Sequence, residues 1–306
     1  MAACCIVVAA QLTVSCGTGI EVTERVTDKD VRKVINQVDN RPQLSTLKSL
    51  NDSMPAWKTG KRFWVADDQA RLLFAASSDY NIDTVSLAGK VLTYQGYDTG
   101  DIYDNRHTVN LRFSDGVSVY VYRTGKTLDA FTSRFSIPML IDLDRVDYIA
   151  RQVVGMDYYI RTGIWYDRST EQMIDGRHFI KVHIDEVLPG NAVLPLRVHF
   201  TATDSGERAM VWMSDNVTAM LGRDFDALFV ARNPRLDHPD VSDANWELIT
   251  RAQVAMGMTK AECRLALGNP VRISENPYQG ALREYWYYDG GAYLYFVDGL
   301  LNQFRK

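Results

Sequence analysis

The chain has 306 residues, 46% hydrophobic and 24% charged, enough apolar material for a sizeable core. Its 34 Lys and Arg stand against 38 Asp and Glu, a formal net charge of -4, so no basic excess exists to neutralise the phosphates of a nucleic-acid partner. Beyond the N-terminus, no apolar run approaches the roughly 20 residues that span a bilayer as a helix, which argues against a membrane channel.

The first feature in chain order is CCIVVAAQLTV, Cys4–Val14, an uncharged apolar run of signal-peptide length and too short to span. Ser15 then stands directly before Cys16, and the junction resembles a bacterial lipobox, in which a cysteine after a small residue becomes the acylated start of the mature chain. The resemblance implies lipidation at Cys16 and removal of residues 1–15. Thr13 departs from it, standing where Leu is usual, and no Lys or Arg precedes the run. The alternative is a buried N-terminal strand with an incidental cysteine. With Cys4 and Cys5 removed and Cys16 acylated, only Cys263 would remain, so no disulfide framework is expected.

Residues 16–54 read as a polar tether and a short helix, with Val31, Ile35 and Val38 on one face and Arg41-Pro42 as the stop. From Trp57 the period changes to two. KRFWVAD, GKVLTYQGYD, HTVNLRFSDG and VSVYVYR alternate apolar with polar residues, and Ser114-Asp115-Gly116 joins two of them as a hairpin. A helix is predicted after Asp142, with Val146, Ile149, Ala150 and Val153 inward and Gly155 as its end.

The chain then echoes itself. Lys58–Gly60 (KTG) is answered by Arg161–Gly163 (RTG), and AGKVLTY at 88–94 by DGRHFIK at 175–181. Leu111–Phe113 is answered by Val198–Phe200, Leu128–Phe131 by Phe225–Phe229, and ARQVVGM at 150–156 by RAQVAMGM at 251–258. Five echoes in one order predict two copies of a small β-module closed by a helix, at 55–156 and 157–240.

The last segment, 241–306, is the most clearly punctuated. Thr259 and Glu262 form a capping box, Met258 can staple onto Cys263, and Gly268 and Pro270 end the helix. Ser242 or Asp243 caps an earlier helix with Trp246 and Ile249 inward. LREYWYYD, AYLYF and LLNQFRK follow as a three-stranded meander turning at Asp289-Gly290-Gly291 and Asp298-Gly299. The stretch W-x-x-I, GMTKAE, LGNP and EYWYY…GGAYLYFVDGLL resembles the SmpA/OmlA (BamE-like) family, which includes a small lipoprotein subunit of the machinery inserting β-barrels into the bacterial outer membrane. The resemblance covers Val241–Lys306. It implies a two-helix, three-stranded α/β sandwich, an outer-membrane address and envelope-protein partners, the barrel-assembly machinery among them. Gly17, rather than Asp, after the acylated position agrees with that address.

Reactive groups are sparse. His107, His178, His183, His199 and His238 show no metal-ligand spacing, and His178 and His183 fall on opposite faces of one strand. Asp142, Asp144 and Asp147 read as a helix cap and first-turn acids before they read as a cation site. Asp101 and Asp104 match no calcium-loop template. Cys263 reads as a buried thiol rather than a nucleophile. No nucleophile-elbow, phosphate-loop or paired-cysteine motif occurs. Aromatics give the one binding signal: Tyr285 and Tyr287 share one strand face, Trp286 and Tyr288 the other. One face must cover the helices, and the other, if exposed, would form a recognition patch, the alternative being that these aromatics are simply sheet packing. The expectation is an α+β chain of two β-rich modules and a C-terminal sandwich. It acts as a non-enzymatic envelope lipoprotein without cofactor; the alternative is a binding module for a peptide, glycan or foreign enzyme.

Overall fold

The period-two alternation becomes a pleat with one buried face. In Arg62–Val65 (β1), Phe63 and Val65 are buried while Arg62 is exposed. The computed structural model describes residues 53–75, 86–103, 106–215, 222–278 and 281–305, all within one compact unit, Arg41–Lys306. The leader 1–15, Cys4, Cys5, Cys16, the tether, the helix carrying Val31, Ile35 and Val38, and Asp104 lie outside the described residues.

Three antiparallel sheets result. The first joins β1 with Phe74–Ala75 (β2), Val91–Tyr103 (β3), Arg106–Ser114 (β4), Val119–Arg123 (β5) and Leu140–Asp142 (β6), in the order β2-β5-β4-β3-β1-β6. The second contains Asp157–Ile160 (β7), Ile164–Tyr166 (β8), Met173–Asp175 (β9), Ile180–Pro189 (β10), Leu196–Ala202 (β11), Arg208–Met213 (β12) and Phe229–Val230 (β13). Its order is β13-β7-β10-β11-β12-β8-β9. The third is a meander of Arg272–Tyr278 (β14), Ala281–Tyr287 (β15), Tyr293–Val297 (β16) and Leu300–Arg305 (β17). The α-helices among the described residues are Leu143–Val153 (α1), Phe225–Leu228 (α2), Asp243–Thr250 (α3) and Lys260–Leu267 (α4).

The α+β expectation, with a small C-terminal α/β sandwich, is therefore corrected: the chain is mostly β, in sheets of six, seven and four strands, and its longest described helix has 11 residues. Caps make helices conspicuous in a sequence without making them long. The C-terminal meander has four strands rather than three. β14 escapes the sequence reading because Ser274, Glu275, Asn276 and Pro277 look like a turn. Pro277 is tolerated there because β14 is an edge strand.

The first two sheets share one topology. Reading β2-β5-β4-β3-β1-β6 against β8-β12-β11-β10-β7-β13 pairs every strand of the first sheet with one of the second, β9 being extra. The β-bulges coincide too. Tyr94 and Gly96 oppose Phe113 and Arg112, while Ile184 and Glu186 oppose Phe200 and His199. One echo does not survive: Lys58–Gly60 precedes β1, whereas Arg161–Gly163 follows β7.

Each sheet buries its own core. The first encloses an aromatic cluster including Phe63, Tyr94, Phe113 and Tyr120. The apolar stripe of α1, Val146, Ile149 and Val153, enters the core of the second sheet beside Val182, Val198 and Phe200. Helices α3 and α4 contribute Ile249, Cys263 and Ala266 to the third core, against Trp286, Leu294, Phe296 and Leu301.

Candidate tyrosine-arginine recognition face

Strand β15 divides its aromatics by parity. Glu284 and Trp286 point into the core, and Tyr285 and Tyr287 point out. Trp286 is fully covered, with the Arg264 guanidinium 4.7 Å above its ring and its Nε1 donating to the Glu284 carboxylate at 3.2 Å. Glu284 is also held by Lys260 Nζ at 2.6 Å. Burial pushes against ionisation, but the Lys260 and Trp286 hydrogen bonds hold its carboxyl below the usual range. Helix α4 supplies that lysine from its first turn, and its capping box fixes the helix start: Thr259 N–H donates to Glu262 at 2.7 Å, and Glu262 N–H to Thr259 Oγ1 at 3.2 Å. Tyr288 lies just past the strand, packs against the core and donates its hydroxyl to the Gly268 carbonyl at 3.3 Å.

The outward face gathers what the inner face leaves. Tyr285 pairs with Tyr295 and Tyr287 with Tyr293, so four tyrosines form a two-by-two block. The Tyr285 and Tyr295 rings stack at 4.6 Å, and Tyr285 and Tyr287 lie 6.4 Å apart. All four are half-buried and belong to no core cluster. The flanking outward positions are Arg272, whose guanidinium sits 4.2 Å over the Tyr287 ring, and Arg305, paired with Tyr293. Ser274, Gln303 and Arg283 complete the neighbouring rows, with Gln303 donating to the Tyr293 hydroxyl at 3.0 Å. None of these positions is acidic. Stacked phenols framed by guanidiniums suit flat or anionic groups.

Of the sequence-predicted site residues, Tyr285 and Tyr287 reach this face, while Trp286 and Tyr288 serve the core. Tyr293, Tyr295, Arg272, Arg283 and Arg305 were missed. The signal for two of them was present: in AYLYF the tyrosines share parity, and the Asp289-Gly290-Gly291 turn sets the hairpin register that brings them opposite 287 and 285.

Elsewhere the acids and histidines singled out in the sequence have neighbours that account for them. Asp142 caps α1 by accepting from Asp144 N–H at 3.0 Å and pairs with Lys61 at 2.7 Å; Asp147 pairs with Arg62 at 2.9 Å. His183 and Lys181 both hold Asp157 at 2.8 Å. Burial lowers the pKa of His178 and of His199, with Arg168 and Arg197 adding to the effect at His199. His107 meets the Thr99 carbonyl at 3.0 Å, and His238 tilts against Trp246. Burial, with Glu262 beside it, pushes the Cys263 thiol up to about 12, so it stays protonated. Among the described residues no three His, Cys, Asp or Glu side chains are placed to hold a metal ion, and no helix is long and apolar enough to cross a membrane.

No family model matches the chain, and neither a curated protein nor a solved structure matches it.

Proposed function

We propose that this chain is a non-enzymatic, lipid-anchored envelope protein acting as an accessory interaction subunit, with the outer face of its C-terminal sheet as the partner-binding surface. The observation that carries the reading is the block of Tyr285, Tyr287, Tyr293 and Tyr295 framed by Arg272 and Arg305. Tyr and Arg are the residue types that dominate interface energetics, because each presents a large area with little rotamer entropy to lose or several directed donors. Support for the envelope comes from the lipobox-like junction at Cys16 and from the SmpA/OmlA-like residues of Val241–Lys306. That resemblance makes the barrel-assembly machinery the leading partner. More than one acyl chain at Cys16 would make attachment effectively permanent, since each buried CH₂ contributes about 0.8 kcal/mol.

Crosslinking and affinity purification of the full-length chain from its native membrane tests the reading, run beside a Tyr285→Ala/Tyr295→Ala variant and a Cys16→Ser variant. The expected result is barrel-assembly proteins retained by the wild type and lost by the tyrosine variant at unchanged melting temperature. Cys16→Ser should leave the membrane fraction. Equal partner yield from the tyrosine variant would remove the face from the proposal, and the absence of barrel-assembly proteins from the wild type would remove that partner.

A further inference from the structure

A second surface, independent of the tyrosine face, combines a cavity with converging charge. Between the second sheet and helices α3 and α4 lies a cleft of about 900 Å³. Four arginines line it from four places in the chain: Arg161 after β7, Arg177 between β9 and β10, Arg251 at the end of α3, and Arg264 within α4. Residues so far apart in sequence share one cavity only because the fold brings them there.

The four guanidiniums are not equivalent. Arg177 makes a two-pronged pair with Asp204, both bonds 2.7 Å, and Arg251 grips Glu247 at 2.7 and 2.9 Å. Each is thereby oriented and neutralised. Arg161 reaches only a backbone carbonyl, that of Asp226, at 3.4 Å, and makes no ion pair among the described residues. Arg264 sits 4.7 Å over the Trp286 ring and likewise makes none among those residues. It is near enough to Glu284 to help lower that carboxyl, but Lys260 already occupies Glu284 at 2.6 Å. The wall holds one acidic side chain, Asp175, which is exposed. His178, buried in the wall with Nε2 3.3 Å from the Leu265 carbonyl, adds no positive charge. Two guanidiniums that make no ion pair among the described residues thus face one cavity, beside two more that are already oriented. The wall is also held firmly, because Gly176 packs so closely on Trp165 that a Cβ would fall 2.1 Å from the ring.

We propose that this cleft binds a small polyanion carrying more than one anionic oxygen, a phosphate compound or a polycarboxylate. Guanidinium forks match both carboxylate and phosphate geometry. The volume falls in the usual range for a small-molecule site, roughly 300–1,000 Å³, and exceeds what one inorganic ion fills. Its location between packed substructures is also common for such sites. The ligand joins Arg161, on the second sheet's side, to Arg264, on the C-terminal side.

Titration of the full-length protein with pyrophosphate, citrate and water-soluble dihexanoyl phosphatidic acid tests this, by calorimetry and by melting temperature at matched ionic strength with chloride as control. Saturable binding of at least one probe is expected, weakened about tenfold or more by Arg161→Ala and by Arg264→Ala and unchanged by Arg232→Ala, at a residue that pairs with Asp237 and does not line the cleft. Arg161 is an exposed loop residue, so its variant keeps the fold even if Arg264→Ala loosens Trp286. Preference for the phospholipid would identify a lipid headgroup as the source of the anion, and preference for pyrophosphate or citrate a free metabolite. Shifts no larger than those of chloride, or equal binding by the Arg161→Ala variant, would overturn the proposal.

Discussion

Tyr285 and Trp286 are neighbours with opposite roles, and their substitutions should separate cleanly. Trp286→Ala removes a fully buried ring and should cost about 3–5 kcal/mol, read by urea unfolding. Tyr285→Ala should leave that midpoint nearly unchanged and weaken partner binding by about 2 kcal/mol, roughly thirtyfold. A Tyr285 variant as unstable as the Trp286 variant would mean that the outer face is core. Titration of buried groups makes a further prediction. His178 and His199 have lowered pKa values in the fold, so the unfolded chain binds protons first and stability should fall as pH drops below about 6.5. Asp115, Glu262 and Glu284 are depressed despite burial, by Ser118 and Val117 N–H groups, by Asn245 and Thr259, and by Lys260 and Trp286 respectively. Their contribution is present above their unfolded values near pH 4 and lost as pH falls further. Melting temperature against pH should therefore decline in two stages, the first flattened by His178→Gln; a level curve from pH 7 to 5 would contradict this.

Among the elements, legibility tracked how local the determining interaction is. The α4 capping box involves residues three apart, so Thr259 and Glu262 could be read directly, and Thr259→Ala should cost about 1–2 kcal/mol of stability by urea unfolding. The hairpin at Asp115 was equally visible, because that carboxylate accepts from Val117 and Ser118 N–H at 3.0 and 2.9 Å. β14 was not visible: it pairs only with β15, and its polar residues and Pro277 give no period. The tyrosine block was half visible, since parity fixes Tyr285 and Tyr287 within one strand. Tyr293 and Tyr295 join them only through cross-strand register, and Arg272 only through the unread strand. The arginine cleft was invisible, because its four members come from separate elements and meet through packing.

At the scale of the molecule, the echoes in LRF and VHF fall on equivalent strands, β4 and β11, of sheets with the same order. Spacing alone could not say which core each helix serves. Helix α1 follows the first sheet in sequence, yet its stripe completes the second core. A fragment beginning at Asp142 should therefore give cooperative unfolding by circular dichroism and resist proteolysis. One beginning at Asp157 lacks Val146, Ile149 and Val153 and should be degraded faster; equal resistance of the two would show the helix to be dispensable.

That arrangement also sets an order of events during synthesis. Among the described residues the first core contains nothing beyond Leu140, and it can close as soon as β6 leaves the ribosome or translocon. Helix α1 emerges next, while its partner strands run on through β12 and Phe229. At about 5–20 residues per second the interval lasts on the order of ten seconds. Throughout it, a newly made chain carries a finished sheet followed by an uncovered apolar helix, which is the point at which a holding chaperone would find it.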